Sequence, residues 1–199
     1  MSRLILASAS PYRRLLLERL GVPFEVCPAN ADESILPGED MPTLAARLAT
    51  TKAQNVRASS DSTDKIIIGA DQVATLNDEL LRKPGDHDTA LRQLSACQDE
   101  TVVFTTATTV IDCNSGRQWY GLDRTDVVFL KLSRARLSRY LELEQPYDCA
   151  GGFKAEGLGI SLFRAIRSED PTALVGLPLI WLTHVLRDLD LDPLDSSRR

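Results

Sequence analysis

The stretch Lys65-Ile66-Ile67-Ile68-Gly69-Ala70-Asp71-Gln72-Val73 constrains the fold of this chain more than any other. Three consecutive isoleucines, set between polar Lys65 and small Gly69-Ala70, predict a short strand buried on both faces. Such a strand belongs to a sheet covered by helices on either side, and Asp71 stands just past its expected end. In open α/β sheets, ligands bind in the crevice beyond the carboxyl ends of strands. An aspartate after a strand most often caps a turn or a helix. Asp71 therefore gains a chemical role only if other polar groups converge on it.

With 199 residues, the chain suits one domain over residues 1–199 or two closely packed lobes. The formal charge of −5 argues against a nucleic-acid partner, which needs a basic footprint. No apolar run approaches the ~20 residues of a membrane span, and the apolar start Leu4-Ile5-Leu6-Ala7 is too short for a secretory signal. Cys27, Cys97, Cys113 and Cys149 are widely spaced with no CxxC pair, which predicts free thiols, no zinc site and a cytoplasmic protein.

Leu4 to Ala7 reads as a brief strand. Ser8-Ala9-Ser10-Pro11 then supplies a capping serine and a proline at the first helical position, and the helix runs to Leu20 with its leucines inward and stops at Gly21. Ser8, Ser10, Arg13 and Arg14 crowd the N-terminal end of that helix. Free N–H groups, the helix dipole, two hydroxyls and two guanidiniums make an anion site there. Basic residues in a first turn oppose the dipole, so solvated surface arginines explain them less well. Phe24 to Cys27 is a second strand, Asp32-Glu33 an acidic loop, and Pro42-Thr43 opens a long amphipathic helix that carries Lys52. Ser59 to Asp64 is a polar loop before the isoleucine strand.

Past Asp71, Val73 to Leu76 and Glu79 to Arg82 flank Asn77-Asp78, the turn of a hairpin that leads to Lys83-Pro84-Gly85. A helix follows over Thr89 to Leu94. The β-branched run from Thr101 to Ile111 predicts a strand, with Arg117 to Leu130 as its partner. Ser133 caps another helix. Gly151-Gly152 marks a sharp turn or a close backbone approach, with Lys154 and Glu156 just beyond. A strand around Ile160 to Phe163, a helix from Leu179 to Leu189 and a polar, frayed tail from about residue 190 complete the reading.

A strand-borne carboxylate, an acidic loop, a serine/arginine group and two lysines suit metal-assisted attack on a polyphosphate. Neither a GxxxxGK[ST] loop nor a GxSxG elbow is present, and neither His87 nor His184 has a triad-like or zinc-like setting in the sequence. The segments Leu4 to Arg14, Asp32-Glu33, Ile68 to Val73 and Lys83-Pro84 together resemble the Maf family of nucleoside triphosphate pyrophosphatases. Ala150 to Gly157 and Asp170 to Leu179 resemble the subgroup represented by YceF, whose members hydrolyse 7-methyl-GTP to the monophosphate and diphosphate.

The resemblance implies an α/β fold: a mixed twisted sheet with flanking helices, in two lobes around a central cleft. It also implies a divalent cation, Mg²⁺ or Mn²⁺, and the homodimeric state of many members. It makes Asp71 the general base and, with Glu33, a metal ligand. Ser8, Ser10, Arg13, Arg14, Lys52 and Lys83 would bind the triphosphate, and Tyr12, Gln72 and Glu156 would select the base. Stacking on Tyr12 and a carboxylate at Glu156 suit a cationic methylated guanine. The chain departs from the family pattern at Ala107, where a glycine is usual after Thr106, and at Arg82 before Lys83-Pro84. Two other readings stay open: a pyrophosphatase for UTP or dTTP, and a nucleotide-binding regulator of cell division with little turnover.

Overall fold

The computed structural model describes residues 2–59 and 63–195. Residues 60–62 of the polar loop and 196–199 of the tail lie outside the described residues. Among the described residues the architecture is α/β, with a mixed seven-stranded sheet and five α-helices. The strands are β1 (Arg3–Leu6), β2 (Phe24–Val26), β3 (Lys65–Leu76), β4 (Glu79–Leu81), β5 (Thr101–Asp112), β6 (Gln118–Phe129) and β7 (Phe163–Arg167). The helices are α1 (Pro11–Glu18), α2 (Met41–Ala58), α3 (His87–Ala96), α4 (Arg134–Glu144) and α5 (Leu179–Asp188). The strand order is β2-β1-β3-β5-β6-β7, with β4 paired to β3. Contacts divide the chain into two compact units: Met1–Gln72, Thr106–Asp123 and Asp170–Arg199 form the first, Val73–Thr105 and Arg124–Glu169 the second.

In the first unit, β1 runs parallel to β2 and β3, with Leu6 opposite Val26 and Ile68. Successive strand residues point to opposite faces, so the isoleucines divide between two apolar layers. Ile66, Ile68 and Ala70 pack with Leu4 and Leu6 against Leu16 and Leu17 of α1 and Leu182 and Leu186 of α5. Ile67 packs with Ile5 and Ala7 against Ala53 and Val56 of α2. Each fully buried leucine or isoleucine contributes about 1.5–3 kcal/mol, which explains why the isoleucine run anchors this unit.

The structure corrects the expected end of that strand. β3 does not stop at Gly69-Ala70 but continues through Asp71 to Leu76. Gly69 serves another purpose: a Cβ there would lie 2.2 Å from the Ala49 carbonyl oxygen and 2.9 Å from the Ala53 Cβ, so its absence lets α2 press onto the sheet. Leu15 is a second correction; it is 60% exposed, whereas Leu16 and Leu17 are buried. The tail is a third. Leu191 packs into the α1/α5 layer, so order extends past residue 190.

In the second unit, β3 and β4 form the expected hairpin, with Asn77 and Asp78 at φ 51° and 66°, as a type I′ turn requires. Phe104, Phe129, Phe153 and Phe163 pack edge to face with ring centroids 4.9–5.4 Å apart. Gly151 and Gly152, at φ 75° and 73°, make the turn that inserts Phe153 into this cluster. The strand expected around Ile160 begins later: Leu158–Leu162 is a 3₁₀ helix and β7 follows it. The four cysteines are free, and among the described residues no helix is long and apolar enough to cross a membrane.

Candidate active site

Asp71 lies inside β3, three residues past Ile68, where the pairing with its parallel neighbour β1 ends. The Ala7 N–H donates to the Ile68 carbonyl at 2.8 Å, after which the chain turns away through Ser8. Asp71 shares the parity of Ile67 and Gly69 and so faces α2. On α2 the buried residues Ala49, Lys52, Ala53 and Val56 form one stripe. The glycine that lets α2 approach thus brings Lys52 over the strand, where its Nζ donates to Asp71 Oδ1 at 2.5 Å and Glu33 Oε1 at 3.4 Å. The Lys52 and Asp71 side chains are 11% and 9% exposed, and that of Glu33 is 66% exposed. One ammonium therefore joins a nearly buried carboxylate to a solvated one.

Ser8, Ser10 and Arg13 assemble next to this group. Ser10 caps α1, its Oγ accepting from the Arg13 N–H at 3.4 Å. Ser8 is buried, and its Oγ accepts from the Ser10 N–H at 3.2 Å and Arg13 Nη1 at 3.3 Å. Arg13 Nε donates to the Gly176 carbonyl at 2.9 Å. Gly176 has φ 112°, and a Cβ there would lie 3.2 Å from Arg13 Nε, so a glycine suits this contact on both counts. Burial lowers the Arg13 pKa, while Asp71 and Glu33 raise it, which places the guanidinium in the field of both carboxylates. Its remaining donors make it fit to receive a phosphate. Tyr12, one residue earlier, is half-buried.

Arg14 departs from the expected cluster. Its Nε donates to Glu18 Oε1 at 2.8 Å in an exposed i,i+4 pair, and it lines a surface groove with Gly21, Val22 and Phe24. Gln72 departs too. Inside a continuous strand it faces away from Asp71, and its Nε2 donates to Thr106 Oγ1 (2.8 Å) and the carbonyls of Ala173 (2.9 Å) and Leu174 (3.1 Å). Thr106 Oγ1 donates onward to Ala173 at 2.9 Å. With its NH₂ group engaged, Gln72 has its carbonyl oxygen left to meet a ligand. Ala107 presents its methyl on the other face, that of Thr109, whose Oγ1 meets Thr50 of α2.

Lys83 and Glu156 belong to the second unit and are both exposed, Lys83 in the irregular segment after β4 and Glu156 in the turn before the 3₁₀ helix. Lys154 lies 4.0 Å from Asp148. His87 stands 3.4 Å from Asp88 Oδ1 and 3.3 Å from Ser138 Oγ, long contacts in a solvated position, with Asp88 86% exposed. Thr106, Gly176 and Arg47, described below, were not legible as site residues. Each acts through a partner more than ten residues away, and no local pattern reports such a pairing.

Among the described residues, no group of three or more His, Cys, Asp or Glu could hold a metal ion. Mg²⁺ in phosphate chemistry is held by one or two carboxylates together with substrate oxygens and water. Asp71 and Glu33, close enough to share one ammonium, fit that demand.

The chain matches the Maf family, described as Maf-like protein, over residues 3–189. It is 45% identical over 190 residues to a protein of Pseudoalteromonas atlantica, covering 96% of each chain. It is 51% identical over 187 residues to one of Xanthomonas axonopodis pv. citri, covering 94% of this chain and 96% of the relative. It is 49% identical over 198 residues to one of Burkholderia orbicola, covering 99% and 94%. Each of these relatives is named 7-methyl-GTP pyrophosphatase. With the strand-borne Asp71, its lysine and the serine/arginine group in place, the chain belongs to the Maf family.

Proposed function

We propose that this protein is a nucleotide pyrophosphatase that hydrolyses 7-methyl-GTP to 7-methyl-GMP and diphosphate. The observation that carries the chemistry is the sharing of Lys52 by Asp71 and Glu33, beside the Ser8–Ser10–Arg13 group. The substrate follows from relatives of that name at 45–51% identity over nearly the whole chain.

In this reading, Asp71 takes the proton of the attacking water on its carboxylate. The water oxygen forms a bond to the α-phosphorus, the bond from that phosphorus to the bridging oxygen breaks, and diphosphate leaves. Lys52 and Arg13 offset the charge gathering on the phosphate oxygens, and Ser8 and Ser10 donate to them. An aspartate is a weak base at neutral pH. Asp71 and Glu33 would hold Mg²⁺ or Mn²⁺, which when bound supplies Lewis-acid stabilisation and eases ionisation of water. The free thiols accord with a cytoplasmic setting.

Purified protein with Mg²⁺ or Mn²⁺ and a panel of triphosphates tests the proposal. Diphosphate release, fastest from 7-methyl-GTP and lost in Asp71→Asn, is expected. Orthophosphate release, a faster rate on UTP, or binding without turnover under either metal would each overturn it. Glu156→Gln and Lys83→Ala in the same panel test base selection and phosphate contact at those positions.

A further inference from the structure

Glu33 lies in the segment between β2 and α2, residues 27–40, which forms neither helix nor strand. Cys27 and Ala29 at its start pack against the α2 layer, but Ile35 and Leu36 are 41% and 51% exposed, so apolar burial does not fix the part that carries Glu33. A solvated loop without a core has little local stability of its own. The fixing comes from α2. Asn55 Nδ2 donates to the Asn30 carbonyl at 2.6 Å, and Lys52 reaches Glu33 itself.

Arg47 is the most heavily engaged of the three. Its Nη1 donates to the Asp32 carbonyl at 3.3 Å and its Nη2 to the Ser34 carbonyl at 2.8 Å. These are the two residues on either side of Glu33. The Nε and Nη2 groups also meet both carboxylate oxygens of Glu39 at 2.6 and 2.8 Å, and Glu39 Oε2 accepts from the Leu36 N–H at 3.0 Å. We infer that Arg47 is a positioning residue for Glu33: it grips the loop backbone before and after that carboxylate, and so sets where Glu33 meets Lys52 and the divalent cation. The inference rests on the proposed role of Glu33 in metal binding.

Arginine suits this task because its planar fork carries five donors and serves four acceptors at once, whereas a lysine offers three from one point. Glu39 is the guanidinium's charge partner. Its side chain is 4% exposed, and the hydrogen bonds from Arg47, then the one from Leu36, hold its pKa down to about 2. A merely structural anchor would hold the loop without affecting the metal, and experiment can separate the two roles.

The test compares wild type, Arg47→Met, Arg47→Lys, Glu33→Gln and the Arg47→Met/Glu33→Gln double variant. Two quantities are read: hydrogen exchange of the 31–36 amides, and the Mg²⁺ concentration for half-maximal turnover of 7-methyl-GTP. Arg47→Met is expected to speed exchange of those amides at least tenfold and to raise the Mg²⁺ requirement about tenfold. In the Glu33→Gln background, the same change should alter the Mg²⁺ requirement less than twofold. Arg47→Lys, which keeps the charge and loses the fork, should resemble Arg47→Met and replaces it if that variant does not fold. Unchanged loop exchange overturns the inference. So does faster exchange at a wild-type Mg²⁺ requirement, when Glu33→Gln itself needs more Mg²⁺. A wild-type Mg²⁺ requirement in Glu33→Gln overturns the role of Glu33, and the inference with it, a result distinguishable from failure at Arg47 alone.

Discussion

Replacing Lys52 by methionine keeps the stem that packs on β3 and removes the ammonium between two carboxylates. At an effective dielectric constant of about 20, unit charges 2.5 Å apart attract by about 7 kcal/mol, and at 3.4 Å by about 5. The second figure shrinks further, since Glu33 is 66% exposed and solvent screens it. Desolvation of two nearly buried ions offsets much of the first. What is lost on removing one partner of a buried pair is about 3–5 kcal/mol, because the other charge stays buried alone. For a chain of this size that corresponds to a fall of about 6–20 °C in Tm, read by calorimetry at neutral pH without metal. Lys52→Met in an Asp71→Leu background should cost at least 1.5 kcal/mol less than in wild type, as expected for residues in direct contact. Divalent cation should raise the Tm of Lys52→Met more than that of wild type, since it can take up the unpaired carboxylates. A Tm change below about 2 °C, or the same loss in both backgrounds, would refute the pairing.

Other sites offer independent checks. Gly69→Ala would put a Cβ 2.2 Å from the Ala49 carbonyl, backbone that cannot swing aside, so α2 must lift from β3. A loss of about 1–3 kcal/mol together with a fall in kcat is expected, and an unchanged Tm would mean the helix does not press there. Gln72→Met withdraws the donor shared by Thr106, Ala173 and Leu174, at a cost of about 1–3 kcal/mol in unfolding free energy. A shift in base preference at full stability would show that Gln72 reads the base and does not clamp that segment. Glu39, held at about 2 in the fold against an ordinary 4.5, contributes stability that is full above about pH 4.5 and lost as pH falls through about 2. Titration of its side-chain carboxyl by NMR should place the midpoint near 2 in wild type and higher in Arg47→Met, where only the Leu36 N–H still holds it down.

Much of the scaffold follows from rules that act within a few residues. The isoleucine run fixes a buried strand, Ser10-Pro11 a helix start, and Asn77-Asp78 a hairpin turn, because each depends on local dihedral preferences and on periodicity. The candidate residues are legible by type, and in the first unit Lys52 meets Asp71 and Glu33 while Ser8, Ser10 and Arg13 bond to one another. Gly69 resembles a strand terminator in sequence, while in the fold it admits the close approach of α2. Because β3 continues to Leu76, Asp71 and Gln72 fall under the period of two and face opposite ways. Tertiary structure decided which side chains complete the site. Lys52 meets Asp71 across 19 positions, Arg47 meets the Asp32 carbonyl across 15, and Arg13 meets Gly176 across 163. Sequence determines what each residue can donate, accept or bury. Which of those groups come within 3 Å depends on the depth at which a helix seats on a sheet, and that depth is set by packing over the whole layer.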